Sequence, residues 1–211
     1  MLDVNSDYGF DFVGSLSNGP ETFDNDHEGH SGWTAPQIAA GTFSWLKSNP
    51  AEIVLLHAGT NSLTTSTSGI EAILNEIDSF SPDTWVLLAQ IINQDPYNAT
   101  VSSFNQNLFT MAQNRIANGD KIIVVDQESA LIYPEDLADP LHPNDEGYRK
   151  MAQVWETALE PLVNDLCNGP PHIIGSAVAP KTLGIVTVPY TYQVKAYGNP
   201  ALLYELTVSP E

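Results

Sequence analysis

Short apolar runs alternate along this chain with longer amphipathic stretches. Residues 53–58 (Ile-Val-Leu-Leu-His-Ala), 85–91 (Trp-Val-Leu-Leu-Ala-Gln-Ile) and 121–126 (Lys-Ile-Ile-Val-Val-Asp) are nearly continuous in apolar character. Such runs are the mark of strands buried on both faces in a parallel sheet. Between them, Ala35, Ile38, Ala39, Phe43, Trp45 and Leu46 recur at roughly helical spacing, and Ile70, Ile73, Leu74, Ile77 and Phe80 form one stripe. Helices are predicted over 34–47, 69–80, 101–118 and 148–166. Thr34 ahead of Pro36 suits an N-cap, Ser48-Asn49-Pro50 a stop, and Asn118-Gly119 a C-cap. Residues 10–14 read as a further short strand closed by Gly14. Strand and helix in alternation predict an α/β domain with a mostly parallel sheet.

The pattern changes after Asn168-Gly169-Pro170-Pro171, which reads as a linker. Val186, Val188, Tyr190, Tyr192 and Val194 alternate with polar residues, apart from Pro189. Gly198-Asn199-Pro200 makes a turn, and residues 202–208 supply a second strand. The expected organisation is therefore an α/β domain over 1–167 and a linker with a β-hairpin segment over 168–211.

Composition narrows the class of function. Seven Lys and Arg against 26 Asp and Glu give a net charge of −19. Phosphate backbones and anionic membrane surfaces are both repelled by such a surface, so neither nucleic acid nor membrane is an expected partner. No run approaches the roughly 18–20 apolar residues of a membrane span. The single cysteine, Cys167, excludes an internal disulfide framework and a Cys-rich metal site. Residues 1–4 carry neither a basic segment nor a long apolar one, so no signal peptide is read there.

Three polar clusters follow predicted strands, where sites gather in open α/β sheets. They are Asp26-His27-Glu28-Gly29-His30-Ser31-Gly32-Trp33, then Gly59-Thr60-Asn61, then Asp139-Pro140-Leu141-His142-Pro143-Asn144. Asp139 and His142 are three apart, close enough for the carboxylate to orient the imidazole and stabilise an imidazolium formed in base catalysis. Read alone, the same spacing is also that of a solvated loop. The Asn61 amide and the Gly32 N–H are candidate oxyanion donors; alone, each also reads as a turn residue. Of the tryptophans, only Trp33 lies in a loop cluster, as a candidate sugar platform.

Together these clusters resemble the SGNH (GDSL-type) hydrolases, and within them the secreted carbohydrate-esterase branch that includes acetylxylan esterases. The matching text is Asp11-Phe12-Val13-Gly14-Ser15, residues 26–33, Leu55-Leu56-His57-Ala58-Gly59-Thr60-Asn61, Phe104-Asn105, residues 139–144 and Gly147-Tyr148, about 8–166 in all. The resemblance implies a three-layer α/β/α, flavodoxin-like parallel sheet. It also implies His142 as base, Asp139 as its orienting group, Gly32 and Asn61 as the oxyanion hole, and no metal or other cofactor. Two departures stand out. Ser62 replaces the Asp that usually follows the Gly-Thr-Asn triplet, and no Gly-Asp-Ser occurs anywhere, although the family's nucleophile is the serine of that motif. The expectation is a fold lacking its first strand and helix. Residues 188–200 in turn resemble part of a bacterial immunoglobulin-like module.

The leading functional expectation is a carboxylic ester hydrolase acting on short acyl esters, acetyl groups on polysaccharide among them. The attacking oxygen is left open between water activated by His142, a substitute serine (Ser31 beside Gly32, or Ser15), and a group supplied by a second subunit. That last route carries the expectation of a homodimer in which the C-terminal hairpin helps to cover an exposed edge. Acidity and resemblance together point to an extracellular protein. Two alternatives stand beside it. One is a catalytically impaired carbohydrate-binding or scaffold protein that keeps the fold. The other is a metal-dependent hydrolase built on Asp26, His27, Glu28 and His30.

Overall fold

In chain order the elements are β1 (Leu16–Ser17), β2 (Asp26–His27), α1 (Ala35–Ser48), β3 (Ile53–Leu56), α2 (Ser68–Phe80), β4 (Trp85–Gln90), α3 (Ala99–Ala117), β5 (Ile122–Asp126) and α4 (Asp145–Asn168). Four short strands follow: β6 (His172–Ile173), β7 (Tyr190–Val194), β8 (Ala196–Tyr197) and β9 (Tyr204–Val208). This computed structural model describes residues 11–19, 24–61 and 63–168 and the backbone of β6 to β9, with side chains up to residue 163. Ser62, the 169–171 linker, residues 186–189, the 198–200 turn and the Cys167 side chain, all singled out above, lie outside the described residues. The chain divides into two compact units, Met1–Leu159 and Glu160–Glu211.

The first unit is organised by a parallel sheet in the order β3-β4-β5. Ile53 to Leu56 register with Trp85 to Leu88, and Val86 to Gln90 with Ile122 to Asp126. Parallel neighbours require a crossover, and α2 and α3 supply the two. Val86 and Leu88 of β4, Leu56 of β3 and Ile122 of β5 share one buried cluster with Ala39, Ile73, Ile77, Leu108 and Ala112 from the three helices. Leu87 and Ala89 have the opposite parity and point to the other face, yet both are fully buried. A strand covered on both sides has to be apolar at every position, which is why 85–91 shows no alternation.

Helix α1 begins at Thr34, whose N–H donates to Gln37 Oε1 at 2.9 Å. This satisfies one of the donors left open by a helix start. On α2, Ile70, Ile73, Leu74 and Ile77 are each 1% exposed, and burying a side chain of that size contributes about 1.5–3 kcal/mol. Helix α3 starts at Asn98, whose Oδ1 accepts the Thr100 N–H at 2.9 Å.

Several expectations change. Residues 53–58 read as a strand buried on both faces, but among the described residues β3 pairs on one side only. Leu55 is 37% exposed, while its ladder partner Leu87 is buried. His57, in the same apolar run, keeps an exposed surface, yet the protein packed around it pushes its imidazole down to about 4 by burial. The strand expected over 10–14 is absent from its described part, 11–14. The Phe12 N–H goes to a side chain instead, Asp24 Oδ2 at 2.5 Å, as does that of Ser15 just after the segment, to Glu28 Oε2 at 2.8 Å. Pairing begins only at β1, antiparallel to β2 with Leu16 opposite His27.

In the second unit β7 and β9 pair antiparallel, Tyr190 with Val208 through to Val194 with Tyr204. The chain between them contributes β8, which pairs antiparallel with β6. The segment read as a simple hairpin thus holds two ladders.

Candidate active site

Helix α4 sets the geometry of the Asp139–His142 loop. Asn144, one residue before the helix, accepts the Gly147 N–H on Oδ1 at 3.0 Å and the Tyr148 N–H on its carbonyl at 2.9 Å. Its Nδ2 donates back to the Glu135 carbonyl at 2.8 Å, and its N–H to the Asp136 carbonyl at 2.9 Å. Asp136, nearly buried, accepts the Ile132 N–H and the Lys150 ammonium, both at 2.6 Å. These donors hold the Asp136 carboxyl below the usual range, the Ile132 N–H foremost. The Ala138 N–H closes the loop on the His142 carbonyl at 2.8 Å.

Within that loop Asp139 meets His142 directly. The ring Nδ1 lies 2.8 Å from Oδ2 and 3.0 Å from Oδ1. Oδ1 also accepts the backbone N–H groups of Leu141 at 2.8 Å and His142 at 2.9 Å. The Leu141 N–H, then the imidazole and the His142 N–H, hold the Asp139 carboxyl down at about 2. With Nδ1 turned to the carboxylate, Nε2 is the nitrogen left to exchange protons, and the His142 side chain is 67% exposed. The arrangement fixes the ring tautomer and offers a base to the solvent side of the loop.

The loops after β2 and β3 form a second group. Asn61 donates from Nδ2 to the Trp33 carbonyl at 3.0 Å, which leaves its second amide hydrogen uncommitted to that bond. Gly32, just before Trp33, has φ +77°, a backbone that residues with a Cβ rarely adopt. Gly59 has φ +131°, and a Cβ there would lie 2.7 Å from the Phe104 ring. The turn carrying Asn61 can therefore press against α3 only with glycine at that position. Ser31 and Gly32 occupy an exposed turn. Asn61 and the Asp139–His142 loop both follow carboxyl ends of sheet strands, β3 and β5 respectively.

The remaining residues of the 26–33 cluster are tied to one another. Glu28 accepts the Ser15 N–H and hydroxyl, each at 2.8 Å, and its Oε1 lies 2.8 Å from His30 Nε2. Burial alone would raise the Glu28 carboxyl, but these donors outweigh it and the pKa falls below the ordinary value. The His30 ring stacks on Trp33 and on Trp45, with centroids 4.2 and 4.5 Å away. Trp33 nevertheless stays 38% exposed, whereas Trp45 of α1 is half-buried. His27 Nδ1 accepts the Gly29 N–H at 2.9 Å. Among the described residues no group of three or more His, Cys, Asp and Glu side chains converges as metal ligands would.

Sequence reasoning missed a polar hub at the carboxyl ends of β4 and β5. Glu128 accepts Asn93 Nδ2 at 2.7 Å, the Ser102 hydroxyl at 2.5 Å and Asn105 Nδ2 at 2.8 Å. Asn105 also pairs with the main chain of Ile91 in both directions, at 2.8 Å each. One signal was present: Asn105 interrupts the buried stripe of Val101, Phe104 and Leu108 on α3, and a buried amide needs partners. Asp126, at the end of β5, accepts the Ser129 N–H at 3.0 Å and its hydroxyl.

Known proteins place this arrangement in context. A multidomain esterase of Ruminococcus flavefaciens is 23% identical over 163 residues; the match takes in 65% of this chain but only 21% of that protein. Among solved structures, a family 3 carbohydrate esterase of Clostridium thermocellum is 29% identical with a TM-score of 0.68, covering 74% of this chain and 80% of that one. A carbohydrate esterase family 3 structure from Talaromyces cellulolyticus is 27% identical with a TM-score of 0.69, covering 74% and 83%. The mixed α/β fold, a parallel three-stranded sheet with its helices, is therefore that of SGNH-hydrolase-fold esterases. The family model described as GDSL-like lipase/acylhydrolase matches residues 11–150, a span that takes in the whole sheet and both polar groups, and the chain belongs to that family.

Proposed function

We propose that this chain is a carboxylic ester hydrolase for short acyl esters, with acetyl esters of polysaccharide as its substrate class. The observation that carries the reading is the Asp139–His142 pair, a buttressed imidazole with an open Nε2. His142 takes a proton from the attacking oxygen as the new C–O bond forms. The Gly32 N–H and the free Asn61 amide hydrogen receive the oxyanion. As the ester C–O bond breaks, His142 returns the proton to the departing alkoxide. With water as the attacker this releases acid and alcohol. With Ser31 it releases the alcohol and leaves an acyl-Ser31, whose ester bond a water deprotonated by His142 then breaks to release the acid and restore the hydroxyl. The carbohydrate-esterase neighbours support the acyl-carbohydrate substrate class.

The attacking oxygen is water or the Ser31 hydroxyl. Ser15 does not fit the role in this geometry, since its hydroxyl donates to a carboxylate, Glu28, and not to an imidazole. Hydrolysis of p-nitrophenyl acetate by the wild type, His142→Ala and Ser31→Ala, each purified separately, tests the reading. Loss of turnover in His142→Ala alone supports attack by water; loss in both supports Ser31; full activity in His142→Ala overturns the assignment.

The same reading places the chain in an extracellular protein, working as a homodimer, with residues 168–211 a partial immunoglobulin-like segment. Sedimentation that returns a monomer at micromolar concentration would remove the dimer. One observation favours a second reading, carbohydrate binding without turnover: Trp33 keeps an exposed indole surface although His30 stacks on it. Polysaccharide binding with no ester hydrolysis would select it.

A further inference from the structure

The Glu128 hub lies outside the groups that would touch an ester, and its bonds lead to the loop that holds the base. Each of the three side chains that Glu128 engages presents a donor: Asn93 Nδ2, the Ser102 hydroxyl and Asn105 Nδ2. Asn93 and Asn105 are almost completely buried. Donors gathered in this way need an acceptor-only partner, which is an ionised carboxylate. Glu128 also accepts the Tyr133 hydroxyl on its carbonyl at 2.9 Å, and that same hydroxyl accepts the Asn93 N–H at 2.9 Å.

Asn93 passes the constraint onward. Its Oδ1 accepts the N–H groups of Gln94 and Asn98, each at 2.9 Å, which shapes the loop between β4 and α3. That loop ends its reach at Asp95, whose N–H donates to the Pro140 carbonyl at 3.0 Å. Pro140 is the residue directly after Asp139. A continuous path of hydrogen bonds and short backbone links therefore runs from the Glu128 carboxylate through Asn93 and Asp95 to the Asp139–His142 loop.

The geometry points to Glu128 as a positioning residue for the Asp139–His142 pair. It acts through the β4–α3 loop, and it touches neither the ring nor the substrate. The inference deepens the esterase reading and rests on it for the identity of the base; the positional claim itself has its own readout. In Glu128→Gln an amide group faces at least one of the three donors, so shape is kept while one hydrogen bond is lost. Ser102→Ala removes one donor to Glu128, together with an acceptor for Asn93 Nδ2 and the Tyr97 hydroxyl, and leaves the carboxylate itself in place, so it is the milder variant.

The test is hydrogen exchange by mass spectrometry on the full chain, read in peptides covering 137–142 and compared with peptides from α2, beside kcat and KM for p-nitrophenyl acetate. Glu128→Gln is expected to speed exchange in 137–142 about fivefold, the factor that one ordinary hydrogen bond is worth, and to leave α2 unchanged. It is also expected to lower kcat about tenfold, because small displacements of a reacting group cost that much or more, with KM within about twofold. If Glu128→Gln does not fold, Ser102→Ala decides, with the same pattern at about a third of the size. Unchanged exchange in 137–142 in a folded variant overturns the inference, as does a kcat equal to wild type where the wild type turns over. An inactive wild type or a fully active His142→Ala instead removes the esterase reading, and the exchange data then judge the positional claim alone.

Discussion

Asp139 grips His142 twice: its Oδ1 accepts the backbone N–H at 2.9 Å while its Oδ2 meets the ring Nδ1 at 2.8 Å. One carboxylate thus sets both the path of the chain and the direction of the imidazole. Replacing it by an amide removes the charge that favours the imidazolium and sets an NH₂ group against either Nδ1–H or a backbone N–H. Asp139→Asn is expected to lower kcat for p-nitrophenyl acetate by about 10²-fold or more. The pair is more than half exposed, so the melting temperature should move little, and a thermal melt beside the kinetics separates the two effects.

The same contacts set a pH window. The folded Asp139 carboxyl is held at about 2, against about 3.9 in an unfolded chain. A depressed folded value means that the stabilisation is fully present above the unfolded pKa and is lost as pH falls through about 2. Loss of activity between pH 4 and 6 should then come from a group other than Asp139. A ¹³Cγ titration should place the Asp139 midpoint near 2 in the wild type. In His142→Ala the midpoint should rise only part of the way to the ordinary value, because the Leu141 N–H remains the leading donor.

Asn61 has two tasks in the proposed mechanism, holding the Trp33 carbonyl and donating to the oxyanion. Asn61→Ala loses both and should lower kcat by about 10²–10³-fold. Asn61→Asp keeps the shape but has no N–H to offer, so it should be no better than the alanine variant. Steady-state kinetics on the three proteins checks this; an Asn61→Asp variant with near wild-type kcat would remove the oxyanion role.

Gly147 is buried where α4 passes the loop that it supports. A Cβ there would stand 2.3 Å from the Asp136 carbonyl oxygen and 2.9 Å from Pro143 Cβ. The first of these is backbone and cannot rotate away. Gly147→Ala is expected to destabilise the fold by about 1–3 kcal/mol, measured by chemical denaturation. It should also depress turnover in the fraction that remains folded, since the Asn144–Asp136 bond beside it spans the same loop.

Legibility followed range along the chain. Helices over 34–47, 69–80 and 101–118 were readable to within about two residues at either end because each carries its own period and its own stop signals, as at Thr34, Ser48 and Asn118. The three strands were readable because a sheet with helices on its faces demands unbroken apolar runs. The stretch 11–14 was misread for the complementary reason. Its apolar character is strand-like, but Phe12 and Ser15 give their N–H groups to Asp24 and Glu28, 12 and 13 residues away, and no local pattern announces such partners.

The site divides along the same line. The sequence by itself determined the order of the elements, the glycine-marked turn ahead of Asn61, and an Asp and a His close enough in the chain for one loop to join them. Only the tertiary structure decided that β3 pairs on one side among the described residues with Leu55 exposed, that Asn61 holds the Trp33 carbonyl 28 residues away, and that Glu128 draws Asn93, Ser102 and Asn105 onto one carboxylate. Periodicity records which face of an element is apolar. The pairing of a buried polar group depends on which loops the completed sheet brings to the same end, and that is settled by packing, not by any local run of residues.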